Sequence, residues 1–98
     1  MKTYTICGSM RFEKEMQKIA YDLERCDGYN ILQCVYGEKD YVPTEEELSR
    51  FAKAHYRKIE LSDGIYVVNI DGYIGASAKK EIVYAEKLGK EVVYHYKG

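Results

Sequence analysis

Ser62-Asp63-Gly64-Ile65-Tyr66-Val67-Val68-Asn69-Ile70 is the stretch that decides the fold. Its centre, Ile65 to Ile70, is almost continuously apolar where a half-exposed strand would alternate. A run of that kind is buried on both faces, as in a parallel sheet covered by helices on either side. Ser62-Asp63-Gly64 breaks the element before it, and Asp71-Gly72-Tyr73-Ile74-Gly75 forms a loop after it.

Working outward, Ala78, Glu81, Ile82, Ala85 and Leu88 recur at helical spacing, with Ser77 as the expected cap and Leu88-Gly89 as the stop. Glu91 to Tyr96 is a last strand. Upstream, Pro43-Thr44-Glu45-Glu46-Glu47 opens a helix with a capping box from Thr44 to Glu47. Its apolar face runs through Leu48, Phe51, Ala52 and Ile59, with His55 in the same stripe. Gly37 to Val42 is a charged loop, and Tyr29 to Tyr36 reads as a strand. A first helix carries Phe12, Met16, Ile19, Ala20 and Leu23 and stops at Asp27-Gly28, after a first strand from Thr3 to Cys7. The order β-α-β-α-β-α-β predicts a three-layer α/β sandwich with a small, mainly parallel sheet of about four strands, flavodoxin- or Rossmann-like. The 98 residues make a single domain, 1–98, without repeats or a linker.

Fifteen basic and 16 acidic residues are mixed along the chain and give a formal charge of -1. That balance argues against a nucleic-acid polymer as partner, which calls for a basic face or stripe. No apolar run reaches the ~20 residues that span a bilayer, and MKTYTICGS is too short and β-like for a signal peptide. Cys7, Cys26 and Cys34 are odd in number and lack metal-ligand spacing. They are expected to be free thiols in a reducing, cytoplasmic compartment, with no metal site and no cofactor. Eleven tyrosines without a tryptophan suit base stacking and subunit contacts, or simply a strand-rich core and surface.

In open sheets of this kind, ligands bind beyond the carboxyl ends of the strands. That rule places Gly8-Ser9-Met10-Arg11 and the segment from Asp71 to Glu81 at one site. A glycine after a strand lets backbone N–H groups approach an anion, and the next helix offers its positive end. Ser9 adds a hydroxyl and Arg11 a guanidinium fork suited to phosphate, although an ordinary strand-to-helix turn would contain the same residues. Gly72 and Gly75 permit a tight loop. Glu81 lies at the edge of an apolar helix face with no lysine at helical spacing, so it is either a working carboxylate or a helix-capping one. His55 is a core histidine or a functional one. Asn69 and Asp71, at a strand end, could hydrogen-bond a sugar or base, or simply face solvent.

Three segments together resemble the nucleoside 2-deoxyribosyltransferase superfamily, which includes the 2'-deoxynucleoside 5'-phosphate N-hydrolases. They are Tyr4-Thr5-Ile6-Cys7-Gly8-Ser9-Met10-Arg11, Ser62-Asp63-Gly64-Ile65-Tyr66-Val67-Val68-Asn69, and Glu81-Ile82-Val83-Tyr84-Ala85 followed by Leu88-Gly89-Lys90. The Gly72-Tyr73-Ile74-Gly75 loop is similar to that of a small phage- and prophage-associated branch. The resemblance implies that Glu81 is a nucleophile, that Ser9, Arg11 and Ser77 hold a 5'-phosphate, and that His55 or Asp71 protonates the leaving base. His55 stands where family enzymes often place an active-site aspartate, and Thr5 where many have a tyrosine.

The expected function is therefore an N-glycosidase acting on a (deoxy)nucleoside 5'-monophosphate. The alternative is a non-catalytic module that senses or sequesters a nucleotide. A base-exchanging deoxyribosyltransferase ranks below both, because the chain stops at Gly98, directly after the last strand. A phosphoribohydrolase ranks below them too, since its paired-glycine loop is missing. The expected partners are a small nucleotide or nucleoside and a second copy of the chain in a homodimer, with no membrane.

Overall fold

The computed structural model describes residues 1–97. Its strands are Thr3–Gly8 (β1), Asn30–Leu32 (β2), Gly64–Val68 (β3) and Glu91–Tyr94 (β4). Its α-helices are Glu13–Asp27 (α1), Glu45–Leu61 (α2) and Ala76–Lys87 (α3), and short 3-10 turns lie at Met10–Phe12 and Ile70–Gly72. All the strands are parallel and stand in the order β2-β1-β3-β4. The chain runs outward from β1 to β2, then returns across β1 to β3. The strand order thus reverses at the β1–β3 pair.

Strand alternation divides the core in two. Tyr4, Ile6 and Val68 face α1 and pack with Phe12, Met16, Ala20 and Leu23. Cys7, Ile65 and Val67 face the other way, against Ile59 of α2 and Ile82 and Ala85 of α3. Helices therefore cover both faces, and the expected three-layer sandwich is the observed one. The start of β3 is tied to β1 by Asp63, whose carboxylate accepts from Thr3 N at 2.8 Å while its own N–H reaches Thr3 O at 2.8 Å. Next to it, the hydroxyls of Ser62 and Thr5 meet at 2.7 Å in the buried layer.

The element ends differ from the sequence expectation where tertiary contacts replace the ladder. β2 covers three residues, Asn30–Leu32, and not Tyr29 to Tyr36. It is an edge strand with one neighbour, and beyond it Cys34 and Tyr36 pack against the α1-side core. β3 stops at Val68 and β4 at Tyr94. The Asn69 side chain then takes over, accepting from Tyr96 N at 2.7 Å and donating to Tyr96 O at 3.0 Å. The capping box of Thr44 and Glu47 is present as expected. Ser77 does not cap α3; Gly75 occupies the cap position, where an added Cβ would come within 3.3 Å of Ser9 Cβ. Leu88 is exposed at the helix end and outside the apolar stripe.

Gly64 sits opposite Glu91 in the β3–β4 ladder, and a Cβ there would meet Glu91 Cβ at 2.9 Å and its carbonyl carbon at 3.1 Å. Gly64→Ala is expected to cost about 1–3 kcal/mol, read as a lower urea midpoint. Gly37→Ala, where nothing lies within 4 Å of the added carbon, is expected to stay within about 0.5 kcal/mol of the wild type.

Candidate functional site

A cleft of about 870 Å³ opens at the carboxyl end of β1, between the stretch after β2 with α2 and the start of α3. That falls within the range of roughly 300–1,000 Å³ usual for small-molecule sites. Its floor is the end of β1, Ile6 to Gly8, and one rim is the turn Ser9-Met10 with Gly75, Ala76 and Ser77 from the start of α3. The two turns touch, since Gly75 lies against Ser9. Gly8, just before Ser9, is closely packed on its own side: a Cβ there would be 2.9 Å from Met16 Sδ and 3.1 Å from Val68 O. The opposite wall is the stretch Cys34 to Glu38 together with Tyr41 and the first half of α2.

That half of α2 behaves differently from its sequence pattern. Of the apolar face, Ile59 and His55 are buried, whereas Leu48 is 53% and Phe51 43% exposed, because they overhang the cleft rather than the sheet.

Three side chains from distant parts of the sequence converge on the cleft floor. Cys7 comes from β1, His55 from α2 and Glu81 from the second turn of α3. His55 Nε2 is 3.5 Å from Glu81 Oε1 and 3.5 Å from Cys7 Sγ. The Glu81 side chain is only 15% exposed, and His55 Nδ1 is buried without a hydrogen-bond partner among the described residues. Burial, followed by the nearby Glu81 carboxylate, holds the Cys7 thiol well above its ordinary range. Cys7 is thus a neutral thiol here and not an activated nucleophile. Burial likewise raises the phenol of Tyr36, on the far wall, and keeps it a neutral hydrogen-bonding group.

The start of α3 is bare. Gly75 offers no side-chain cap, the first turn holds no acidic residue, and the N–H groups of Ala76, Ser77 and Ala78 precede the first helical bond, from Lys79 N to Gly75 O. Ser9 Oγ accepts from Arg11 N at 3.3 Å and retains its own proton for donation.

The candidates picked from sequence divide accordingly. Gly8, Ser9, Met10, His55, Gly75, Ser77 and Glu81 line the cleft. Arg11 does not; its guanidinium lies 4.0 Å over the ring of Tyr73, a cleft residue. Asp71 is exposed, in a left-handed conformation with φ 55°, and is outside the cleft lining. Asn69 is also outside it, buried, with its amide committed to Tyr96. Sequence reasoning missed Cys7 as a site residue and the wall formed by Cys34 to Tyr41. Alternation along β1 puts Cys7 on the face opposite Tyr4. Only the docking of α2 and α3 shows what it meets there.

No protein-family model matches the chain, and neither a curated protein nor a solved structure matches it. Among the described residues, no helix is long and apolar enough to cross a membrane.

The raised thiol makes a simple check available. At about pH 8, near the ordinary thiol pKa, exposed Cys26 of the native protein should alkylate readily and Cys7 only after unfolding. Peptide mass mapping of the alkylated protein reads both sites.

Proposed function

We propose that the protein is an N-glycosidase that cleaves the base–sugar bond of a nucleoside 5'-monophosphate. The observation that carries this reading is the position of Glu81, a nearly buried carboxylate facing a nucleotide-sized cleft and 3.5 Å from an imidazole nitrogen. The resemblance of Tyr4 to Arg11, Ser62 to Asn69 and Glu81 to Ala85 to the deoxyribosyltransferase superfamily points the same way.

In this reading the phosphate lies at the bare start of α3, where N–H groups and the hydroxyls of Ser9 and Ser77 offer donors to an anion. The base lies against the apolar wall of Leu48, Phe51 and Tyr36. The sugar then bridges the two, with C1' over Glu81. The carboxylate attacks C1' as the C–N bond breaks, giving a glycosyl-enzyme through an oxocarbenium-like transition state. His55 hands a proton to the departing base, and water then frees the sugar. Asp71, outside the cleft, has no part in this scheme.

One observation favours the second reading, a module that binds the nucleotide without cleaving it. The other carboxylates lining the cleft are Glu38 and Glu47, and Glu47 is committed to its capping box and to Tyr41 Oη at 2.8 Å. Incubation with ribo- and deoxyribonucleoside 5'-monophosphates, followed by chromatography for free base, separates the two. The expected result is base release by the wild type and at least a ~10³-fold loss in Glu81→Gln with nucleotide binding retained. Equal rates in wild type and variant would refute the nucleophile, and tight binding with no release would establish the module.

We propose further that the chain forms a homodimer, with exposed Val42, outside the cleft lining, at its interface. Sedimentation should give twice the 11.4 kDa of one chain, and a single-chain mass at high concentration would disprove the dimer.

A further inference from the structure

The floor of the cleft holds three polar groups that face one another, joined among themselves by a sulfur hydrogen bond between Cys7 and His55. His55 Nε2 is 3.5 Å from both Cys7 Sγ and Glu81 Oε1, and the donor atoms of all three residues lie within 4.8 Å of one another. The other contact of Cys7 Sγ, to Thr5 O, is 3.8 Å long. Buried polar groups ordinarily close to hydrogen-bond distance, about 2.7–3.2 Å, or do not persist. Here the imidazole and the carboxylate stop short of it at 3.5 Å, while the Cys7–His55 contact is a hydrogen bond to sulfur at 3.5 Å.

The separations fit a different occupant. Zinc binds thiolate sulfur at about 2.3 Å and imidazole nitrogen or carboxylate oxygen at about 2.0–2.2 Å, in a tetrahedron. The edges of such a tetrahedron are about 3.3–3.6 Å by simple trigonometry on those bond lengths. The two measured edges that share His55 Nε2 have that length. A neutral imidazole that coordinates through Nε2 carries its proton on Nδ1. Thiolate, imidazole and carboxylate form a borderline-soft donor set that suits zinc over magnesium or calcium.

We propose that Cys7, His55 and Glu81 are the three protein ligands of a zinc-class divalent ion whose fourth position opens into the cleft. The Cys7 proton leaves to solvent as the sulfur–metal bond forms, so the bound sulfur is a thiolate. Three protein ligands with one open position are the pattern of zinc sites that bind water or substrate, in contrast to closed structural sites. The ion and the attack by Glu81 on a sugar exclude one another, because both use the same carboxylate. That last consequence rests on the glycosidase reading, whereas the metal site does not.

Cobalt is the probe, since Co²⁺ in a tetrahedral site with a thiolate shows intense visible bands and a near-ultraviolet sulfur-to-metal charge-transfer band. The purified, chelator-stripped chain titrated with Co²⁺ should develop both, saturating at one ion per chain and reversed by Zn²⁺. The charge-transfer band should vanish in Cys7→Ala and persist in the Cys26→Ser, Cys34→Ser double variant. Absence of the band in the wild type, its survival in Cys7→Ala, or its loss in the double variant would overturn the site. Should Cys7→Ala fail to fold, Glu81→Gln decides, because its side chain borders the open cleft. Its affinity for Zn²⁺, read by competition with a chromogenic chelator, should fall at least about 10-fold, the lower end of what even an outer partner contributes. Unchanged affinity in folded Glu81→Gln overturns the proposal. These readouts need no turnover, so they stand or fall separately from base release, which is assayed on the stripped protein.

Discussion

The close approach of β1 to β3 at their carboxyl ends is the constraint on which the rest of the molecule depends. Gly8 has no side chain because Met16 Sδ and Val68 O leave no room for one. With a Cβ at that point, the Met16 side chain would have to swing away and Val68 to yield by a few tenths of an ångström. Gly8 thus sits where Met16 of α1, Val68 of β3 and the floor of the cleft come closest together. The same pair is the place where the chain reverses its direction of travel across the sheet; the turns after β1 and β3 touch there, and the cleft opens between them and the wall of Cys34 to Glu38 with α2. Gly75 against Ser9 then sets how far apart the two loop tips stand.

Around that crevice the molecule is unevenly finished. The α1 side is closed by a continuous apolar cluster, and the start of β3 is pinned by Asp63 and Ser62. On the other side α2 reaches the sheet only with its second half, leaving Leu48 and Phe51 over open space. Polar groups follow the same division. Asn69 closes two short hydrogen bonds with Tyr96 and stabilises the end of the sheet. Cys7 and His55 share a sulfur hydrogen bond of 3.5 Å, and His55 and Glu81 stand 3.5 Å apart. Buried polar groups left at longer range weaken a fold unless something else satisfies them. The metal-binding proposal supplies such a partner, an ion held by all three.

Most of the architecture was legible in the residues. The unbroken apolar run at Ile65 to Ile70 implied a strand covered on both faces, and the alternation of strand and helix patterns implied parallel pairing. Element ends were less legible, because they depend on partners far away in sequence: Tyr96 for β3 and Ser9 for the start of α3. The site was legible in part. Glycine, serine and glutamate at strand ends and on a helix face marked Gly8, Ser9, Gly75, Ser77 and Glu81 as candidates, and all of them line the cleft. Asn69, Asp71 and Arg11 carried the same local signal but lie outside its lining. Cys7 carried almost no signal, since a cysteine within a strand looks like any small apolar residue.

By itself, then, the sequence determined the order of elements, the parallel sheet and the sheet edge at which the cleft opens, because these follow from periodicity and chain connectivity, which are local properties. The tertiary structure alone decided that positions 7, 55 and 81 share one point in space. It also decided that Asn69 is consumed by the backbone of Tyr96 and that half of an apolar helix face looks into a cleft. Those outcomes depend on how far and at what angle α2 and α3 dock on the sheet. Docking is set by the summed packing of side chains from every layer, and no stretch of sequence encodes it by itself.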